Sequence, residues 1–233
     1  MADADPADDA AANDAAGHRA RLRRRLATGG DALLDHELIE YLLALAIPRR
    51  DTKPLAKQLL REFGGIEAVL TADSGALARQ AGMGETSVAA IKIAHAAAVR
   101  LLQTRTERRE VLSNWQALLD YLRARLAHEA VEHVRVLHLN TKNVLIQDEQ
   151  ISRGSIDQAT IYIRDVIARA LHFGSAAIIL VHNHPSGDPS PSRADINITR
   201  AIAEAGKPLG IAVHDHLIIG ATGHVSLRAQ GLI

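Results

Sequence analysis

The chain has 233 residues, of which 47% are hydrophobic and 23% charged, with a formal net charge of zero and no cysteine. This composition is typical of a folded globular protein. The absence of cysteine excludes disulfides and thiolate metal sites, which leaves His, Asp and Glu as the strong metal ligands. The length suits two domains. Zero net charge excludes a global attraction to nucleic acid. The sequence shows neither a signal-peptide core nor an apolar run near the ~20 residues of a membrane span. We therefore expect a cytoplasmic protein with no membrane contact.

The amino-terminal segment is rich in Ala and Asp and shows no apolar periodicity, so residues 1–17 are predicted to be a disordered acidic tail. The charge then inverts, and five arginines form one short run: Arg19, Arg21, Arg23, Arg24 and Arg25. Such a run fits either a solvated helix face that pairs with the tail or a phosphate-binding surface. Both interpretations stay open at this point.

Residues 18–103 are predicted to form a small all-α domain. Apolar residues recur there at helical spacing in two stripes, namely Leu38, Ile39, Leu42, Leu43 and Leu45, followed by Leu55, Leu59 and Leu60. Pro48, Gly64, Gly65 and Gly82 interrupt these stripes. This pattern indicates short helices joined by tight turns.

The segment Gly82-Met83-Gly84 precedes a helical stretch. Two glycines around one apolar residue permit a tight turn whose backbone N–H groups open the next helix, a position that binds anions. The segment resembles a helix-hairpin-helix motif, which implies binding of nucleic acid through residues 18–110. A helix C-cap glycine followed by an ordinary turn has the same pattern, and Glu85 places a negative charge where a phosphate would approach.

Residues 104–111 are charged and poor in apolar side chains, which predicts a linker before a second domain at residues 112–233. In that domain the apolar period changes from 3.6 to 2 after a first helix. The predicted elements that follow are strands at 134–139 and 144–150, a helix at 160–172, a strand at 176–181, a helix at 192–205, and strands at 211–219 and 224–227. This order predicts an α/β (α+β) fold, with a mixed sheet and helices packed on it.

His182 and His184 follow a wholly apolar run at the exit of a predicted strand. Residues two apart on a strand project to the same side, so both imidazoles can reach one ion about 2 Å away. A loop punctuated by Pro and Gly then leads to a helix whose first turn carries Asp195. Three such ligands leave one tetrahedral position for water, as in catalytic zinc sites. The sequence therefore predicts a zinc site made by these three residues.

Zinc lowers the pKa of a bound water toward neutrality, and hydrolysis also needs an acid/base partner. Glu149, late in the second hairpin strand, can approach from a neighbouring strand. Asp148 is adjacent, and a register error of one residue would exchange the two carboxylates. Ser192-x-x-Asp195 also fits a helix capping box, an interpretation that is compatible with metal binding by Asp195.

The order Glu149, His182-x-His184 and Asp195, with Ser192 three residues before the aspartate, resembles the JAMM metalloprotease signature of MPN-type domains. More narrowly, almost the whole chain is similar to the bacterial RadC family, historically called DNA repair proteins. The resemblance implies an MPN/JAB-type α-β-α domain preceded by a helix-hairpin-helix-like domain. It also implies zinc binding by the two histidines and the aspartate, general acid/base catalysis by Glu149, and hydrogen bonding of the oxyanion by Ser192.

A second His-x-His, made by His214 and His216, lies on an apolar strand, and alternation predicts both imidazoles on one face with Asp215 opposite. No carboxylate at comparable spacing completes a second metal site. A hydrogen-bonding role in the core or behind the metal ligands is therefore favoured for Asp215 or His216. His138 and His224 are interpreted as ordinary packed or surface residues.

The predicted function is a zinc-dependent hydrolase that cleaves a peptide or isopeptide-like amide in an unknown protein or peptide substrate. The alternative is a non-enzymatic DNA-binding or DNA repair accessory protein in which zinc is structural. Phosphodiester hydrolysis ranks below both, because a single zinc lacks the paired-ion clamp typical of nucleases.

Overall fold

The computed structural model describes residues 6–28, 33–48, 50–107, 111–154 and 161–233. The described helices are α1 Pro6–Ala27, α2 Asp35–Ala46, α3 Lys53–Phe63, α4 Ile66–Thr71, α5 Ser74–Ala78, α6 Glu85–Glu107, α7 Trp115–Leu126, α8 Ile163–His172 and α9 Arg193–Gly206. The strands are β1 His133–Leu139, β2 Leu145–Arg153, β3 Ala177–Asn183, β4 Ala212–Gly220 and β5 Gly223–Ser226. The chain divides into two compact units, Met1–Ala97 and Ala98–Ile233. Within the described part, none of the helices has the length and apolar character needed to cross a bilayer.

The first unit contains a helical core built from α2 to α6. Its buried members are Ile39, Leu43, Leu55, Ala56, Leu59, Val69, Leu77, Val88 and Ile91. The two predicted apolar stripes supply much of this core, as helical periodicity requires. Leu45 differs, since it is 68% exposed. It lies two residues after the buried Leu43, which places it about 200° around the helix and therefore on the outer face.

Helix α1 includes residues 6–17, which were predicted to be part of a disordered tail, whereas residues 1–5 lie outside the described residues. Alanine has the highest intrinsic helix propensity, so an alanine-rich segment can be helical without an apolar face to bury. In the basic half of α1, the Arg19 guanidinium donates to backbone carbonyls after α2, and Arg25 Nη1 lies 2.6 Å from Glu37 Oε1. Arg21 Nη2 also lies 3.5 Å from His18 Nδ1, so at least three of the five arginines make contacts within the first unit.

Helix α6 begins in the first unit and ends in the second. It continues to Glu107 and so covers the start of the predicted linker at 104–111, of which residues 108–110 lie outside the described part of the chain. Farther along, the predicted strands and helices agree with the observed ones to within three residues at each end. The largest differences flank residues 155–160, which the structure does not describe.

The second unit is a five-stranded sheet with helices on both faces. The strand order is β2-β1-β3-β4-β5, with β3 and β4 parallel and the other neighbouring pairs antiparallel. One face packs against α7, through a core that includes Leu118, Leu122, Leu137, Val181 and Leu217. The other face packs against α8 and α9, through a core that includes Val136, Val166, Leu180 and Ile202. The predicted mixed sheet in an α+β fold is therefore confirmed, and the α-β-α layering agrees with it.

Candidate metal centre

His182 and His184 lie at the carboxyl end of β3, a central strand of the sheet. His182 is the penultimate residue of the strand and is 1% exposed, and His184 comes directly after the strand. Their Nε2 atoms are 2.9 Å apart. The two imidazoles therefore reach a common point, as the two-residue spacing predicted.

Asp195 occupies the first turn of α9, where Ser192 is the N-cap residue. Asp195 Oδ2 accepts hydrogen bonds from the Ser192 amide at 2.7 Å and from the Ser192 hydroxyl at 2.6 Å. Asp195 Oδ1 lies 3.6 Å from His182 Nε2. One oxygen closes a capping box and the other faces the histidines, so the two interpretations of Ser192-x-x-Asp195 hold together.

The donor atoms of His182, His184 and Asp195 all lie within 4.8 Å of one another, and the described residues contain no other such group. Two ligand atoms bound tetrahedrally at zinc distances are about 3.3 Å apart. The observed separations of 2.9 and 3.6 Å lie on either side of that value. Two imidazole nitrogens and one carboxylate oxygen also match the ligand types of catalytic zinc sites. These two separations and the ligand types therefore match a single tetrahedral ion, and the third separation is at most 4.8 Å.

The loop that follows His184 is fastened to the end of β4. The His184 amide donates to Ile219 O at 2.9 Å, and the Gly187 carbonyl accepts from Thr222 Oγ1 at 2.9 Å. Gly220 lies where the loop crosses β4, and a Cβ at this position would overlap the carbonyl oxygen of Gly187. This close backbone approach holds the second histidine in place.

The remaining ring nitrogens of the two histidines also have partners. His184 Nδ1 lies 2.8 Å from the carbonyl oxygen of Asp188, and His182 Nδ1 lies 2.8 Å from His216 Nε2. Burial lowers the pKa of His182 to about 4 and lowers the pKa of His216 well below its ordinary value of 6.5. His182 and His216 are therefore neutral at pH 7, and each keeps one nitrogen lone pair. The expected hydrogen-bonding role of His216 is confirmed.

Glu149 lies on β2, two strands away from His182 and on the same face of the sheet. Glu149 pairs with Val136 on β1, and Val136 pairs with Leu180 on β3. Leu180 and His182 are two residues apart on β3, so their side chains share one face. The Arg169 guanidinium of α8 binds both carboxylate oxygens of Glu149, at 2.9 and 2.5 Å. The hydrogen bond from Arg169 lowers the pKa of Glu149 below its ordinary value of 4.5.

His138 is fully buried beside this carboxylate. Its Nε2 lies 3.5 Å from Glu149 Oε2, its Nδ1 lies 2.9 Å from Ser175 Oγ, and burial lowers its pKa. The interpretation of His138 as a packed residue agrees with this position. Its contact with Glu149 was not anticipated, because that contact depends on strand pairing rather than on any local pattern.

Asp148, the neighbour of Glu149, points to the opposite face of the sheet. Its Oδ1 accepts a hydrogen bond from Arg135 Nε at 2.7 Å, and its Oδ2 accepts one from the Tyr121 hydroxyl of α7. The Asp148 side chain is 1% exposed. The strand register thus separates the two adjacent carboxylates, and Glu149 is the one on the face of the histidines.

Thr199 and Arg169 were not among the predicted site residues. Thr199 follows Asp195 by four residues, its Oγ1 donates to the Asp195 carbonyl at 2.5 Å, and it lies 2.6 Å from His216 Nδ1. The spacing of one helical turn from a predicted ligand was a usable signal for Thr199. No feature of the sequence relates Arg169 to Glu149.

The second His-x-His does not form a cluster. His214 Nε2 lies 2.7 Å from Asn143 Oδ1, whereas His216 bonds to His182 as described above. Asp215 Oδ2 accepts a hydrogen bond from Ser226 Oγ at 2.5 Å. The expected hydrogen-bonding role of Asp215 is therefore also confirmed.

The fold and the His, His, Asp cluster define a mixed α+β domain with a candidate single-ion metal centre. Residues 112–232 match the family model described as a RadC-like JAB domain. A UPF0758 protein of Ruegeria pomeroyi is 49% identical over 217 residues, covering 93% of this chain and 97% of that protein. A UPF0758 protein of Rhodobacter capsulatus is 50% identical over 213 residues, covering 91% of this chain and 100% of that protein. The chain therefore belongs to the RadC-like JAB domain family, which confirms the resemblance noted in the sequence.

Proposed function

We propose that this protein is a zinc-dependent hydrolase of the JAMM type that cleaves a peptide or isopeptide-like amide bond. The observation that supports this function is the convergence of His182 Nε2, His184 Nε2 and the Asp195 carboxylate in a JAB-type domain. Three protein ligands leave a fourth position for water, as in catalytic zinc sites. Zinc bound by these residues would supply Lewis acidity and would lower the pKa of water toward neutrality.

Glu149 is the proposed general acid/base. Its carboxylate would be ionised at neutral pH even at the ordinary pKa of 4.5, and the hydrogen bond from Arg169 lowers that pKa further. It can therefore accept a proton from the attacking water and pass that proton to the leaving amide nitrogen. The same hydrogen bonds make Glu149 a weaker base, but each carboxylate oxygen keeps a second lone pair that can accept the proton while Arg169 stays bound.

Ser192 is proposed to hydrogen-bond the oxyanion that forms when the amide carbonyl is attacked. Its hydroxyl is close to the cluster and donates to Asp195 Oδ2 at 2.6 Å. The oxyanion role requires the hydroxyl to exchange that acceptor for the substrate oxygen. The Ser192 amide, 2.7 Å from the same Oδ2, would keep the carboxylate oxygen bonded during the exchange.

Metal content tests the proposed zinc site directly. Full-length wild-type protein purified from zinc-supplemented medium should contain about one equivalent of zinc by elemental analysis, and His182→Ala should contain none. His224→Ala is the matched control because it removes an exposed imidazole outside the cluster, and it should keep the wild-type content. Equal zinc in wild type and His182→Ala would exclude the site.

Turnover is tested with a mixed peptide library whose new termini are identified by mass spectrometry. Zinc-loaded wild type should cleave peptides, and removal of zinc with a chelator should stop the cleavage. Glu149→Gln should bind zinc as wild type does, while cleavage falls by roughly 10²- to 10⁴-fold because the proton acceptor is lost. Cleavage by Glu149→Gln at the wild-type rate would assign the acid/base role to another group.

A second candidate function is a non-enzymatic DNA-binding or DNA repair accessory protein with a structural zinc ion. The observation that favours it is Arg50, whose guanidinium lies against Gly82, 2.9 Å from where a Cβ would be. This places a cation beside the turn that resembles a helix-hairpin-helix. The Gly84 amide already donates to Ser87 Oγ at 2.8 Å, which leaves one fewer amide for a phosphate.

Salt-dependent binding of the full-length protein to a labelled DNA duplex tests this second function. Arg50→Gln should weaken binding and reduce the slope of log affinity against log salt by about 1 if Arg50 contacts a phosphate. Arg61→Gln, which removes an exposed arginine of α3, is the control. Absence of binding by wild type at low salt would exclude the second function.

A further inference from the structure

The buried imidazole of His216 is not one of the three candidate ligands, yet it connects two of them. His182 Nδ1 lies 2.8 Å from His216 Nε2, and His216 Nδ1 lies 2.6 Å from Thr199 Oγ1. Thr199 Oγ1 in turn lies 2.5 Å from the carbonyl oxygen of Asp195. His216 and Thr199 are fully buried, so no water competes for these bonds. A continuous chain of hydrogen bonds therefore runs from the first ligand to the backbone of the third.

The Asp195 carbonyl oxygen at the end of this chain fixes the direction of each hydrogen bond. A carbonyl oxygen only accepts hydrogen bonds, and a threonine hydroxyl has a single proton. The Thr199 proton is therefore donated to Asp195 O, and Thr199 Oγ1 accepts from His216 Nδ1–H. Neutral His216 then accepts at Nε2 from His182 Nδ1–H. This order leaves His182 Nε2 without a proton, and its lone pair faces the cluster.

The reverse order would prevent metal binding by His182. If the Thr199 hydroxyl donated to His216 Nδ1, His216 would donate from Nε2, and His182 would accept at Nδ1 and carry its proton on Nε2. That N–H would occupy the coordination position. The reverse order would also leave the short contact between Thr199 Oγ1 and Asp195 O without a proton. This contact therefore favours the first order over the reverse.

His184 has the matching tautomer for a simpler reason. Its Nδ1 lies 2.8 Å from the carbonyl oxygen of Asp188 and must donate to it, so the neutral imidazole carries its lone pair on Nε2. The Nε2 atoms of His182 and His184 are 2.9 Å apart. Two lone pairs at this distance repel each other unless a proton or a metal ion lies between them, so the hydrogen bonds around the cluster favour the binding of a cation.

We propose that Thr199 and His216 are positioning residues that hold His182 in the Nδ1–H tautomer and thereby set the metal affinity of the cluster. The effect on metal affinity rests on the proposed zinc site. The His182 tautomer does not, because it is a property of the metal-free protein. The tautomer and the affinity can therefore be tested separately.

The tautomer is measured by long-range ¹H–¹⁵N correlation of the histidine side chains in the metal-free, full-length protein. The His182 signals are assigned by their absence from His182→Gln. Wild type should show a protonated Nδ1 and an unprotonated Nε2 for His182. Thr199→Val, which removes the hydroxyl with little change in volume, should lose this single pattern. Thr199→Ser, which restores a hydroxyl, should recover it.

Zinc affinity is measured on the same proteins by competition with a chromophoric chelator. Thr199→Val should bind zinc roughly 10- to 100-fold more weakly than wild type, the range seen when a residue supporting a metal ligand is removed. Thr199→Ser should restore most of the affinity. Thr199→Ala, which removes the hydroxyl without adding bulk, replaces Thr199→Val if that variant does not fold, and should lower the affinity in the same way.

The outcomes separate this inference from the proposed function. A wild-type protein that binds no zinc would remove the zinc site, while the tautomer comparison would still decide the role of Thr199. A His182 proton on Nε2 in wild type would overturn the inference even if zinc binds. It would also be overturned if the hydroxyl-free variants kept both the wild-type tautomer and the wild-type affinity.

Discussion

The two carboxylate oxygens of Asp195 have separate partners. Oδ2 is held by the amide and hydroxyl of Ser192, and Oδ1 faces His182. A carboxylate that caps its own helix is positioned by the same bonds that start the helix. The third candidate ligand is therefore held in place without an ion, which would lower the free energy needed to organise the site on binding.

Gly220→Ala should disturb the site without touching a ligand. The new Cβ would overlap the carbonyl oxygen of Gly187 and come within 3.0 Å of Pro189 Cδ, so the loop that carries His184 must move. We expect the free energy of unfolding to fall by roughly 1–3 kcal/mol, as is typical of overpacking. Zinc affinity should fall by up to about tenfold, since a supporting contact is lost. Chemical denaturation and chelator competition measure the two effects.

Gly84→Ala provides the control for this substitution. A Cβ at Gly84 meets no atom within 4 Å, and the residue does not require positive φ. Its zinc affinity should therefore match that of wild type. If Gly220→Ala also matched wild type, the close approach of the loop to β4 would have no role in holding His184.

The residues of the cluster and the supporting role of His216 could be predicted from local spacing, whereas the partners of Glu149 could not. His-x-His at a strand exit and a capping aspartate are each defined within a few neighbouring positions. Glu149 could be preferred over Asp148 only through the register of β2. His138 and Arg169 reach Glu149 from other elements, and such contacts depend on tertiary packing that a single sequence does not encode locally.

Helix α8 supplies the cation that controls the state of Glu149. Arg169→Met should raise the pKa of Glu149 toward its ordinary value of 4.5, because the largest lowering influence is the hydrogen bond from Arg169. As pH falls, the Glu149 carboxylate of the variant should therefore take up its proton at a higher pH than in wild type. Titration of the ¹³C-labelled carboxyl signal by NMR in the metal-free protein measures this shift.

Arg164→Met is the matched control on the same helix. Its side chain is 86% exposed, and its ion pair is with Asp165 rather than with Glu149. The Glu149 titration should be unchanged in this variant. An unchanged titration in Arg169→Met as well would show that the ion pair does not govern the carboxylate.

At the level of helices and strands, periodicity predicted the second unit well. Alternating or wholly apolar runs correspond to strands packed on one or both faces, so β1, β3 and β4 were located within two residues. The amino-terminal segment behaves differently, because the sequence of residues 1–17 has no apolar periodicity to indicate a helix. The alanine content was the available indicator there.

The stability of the whole second unit should depend on pH through its buried histidines. Burial lowers the pKa values of His138, His182 and His216 below 6.5. These groups stay neutral in the folded protein, but in the unfolded chain they bind protons once the pH drops below about 6.5. Protons therefore favour the unfolded state, and the free energy of unfolding should fall as the pH is lowered from 7 to 5.

Trp115 is the single tryptophan and packs on the core beneath α7, so its fluorescence reports unfolding of this unit. Urea titrations of metal-free protein between pH 5 and 7 measure the effect. Glu149 and Asp188, the carboxyl groups of this unit with clearly lowered pKa values, lose their contribution only below about 4.5, outside this window. His224→Ala should retain the wild-type slope, and stability that is constant or rising toward pH 5 would contradict the prediction.

Strand β2 exposes much of its length, so apolar burial contributes little to holding it in register. Its adjacent carboxylates instead meet arginines on opposite faces of the sheet, Asp148 with Arg135 and Glu149 with Arg169. Replacing only Asp148 or only Arg135 leaves a buried charge unpaired and lowers the free energy of unfolding by roughly 3–5 kcal/mol. Replacing both with apolar residues avoids this loss. Over evolutionary time these two positions should therefore change as a pair, and their covariation would reveal a constraint on the strand that carries Glu149, imposed from the opposite face of the sheet.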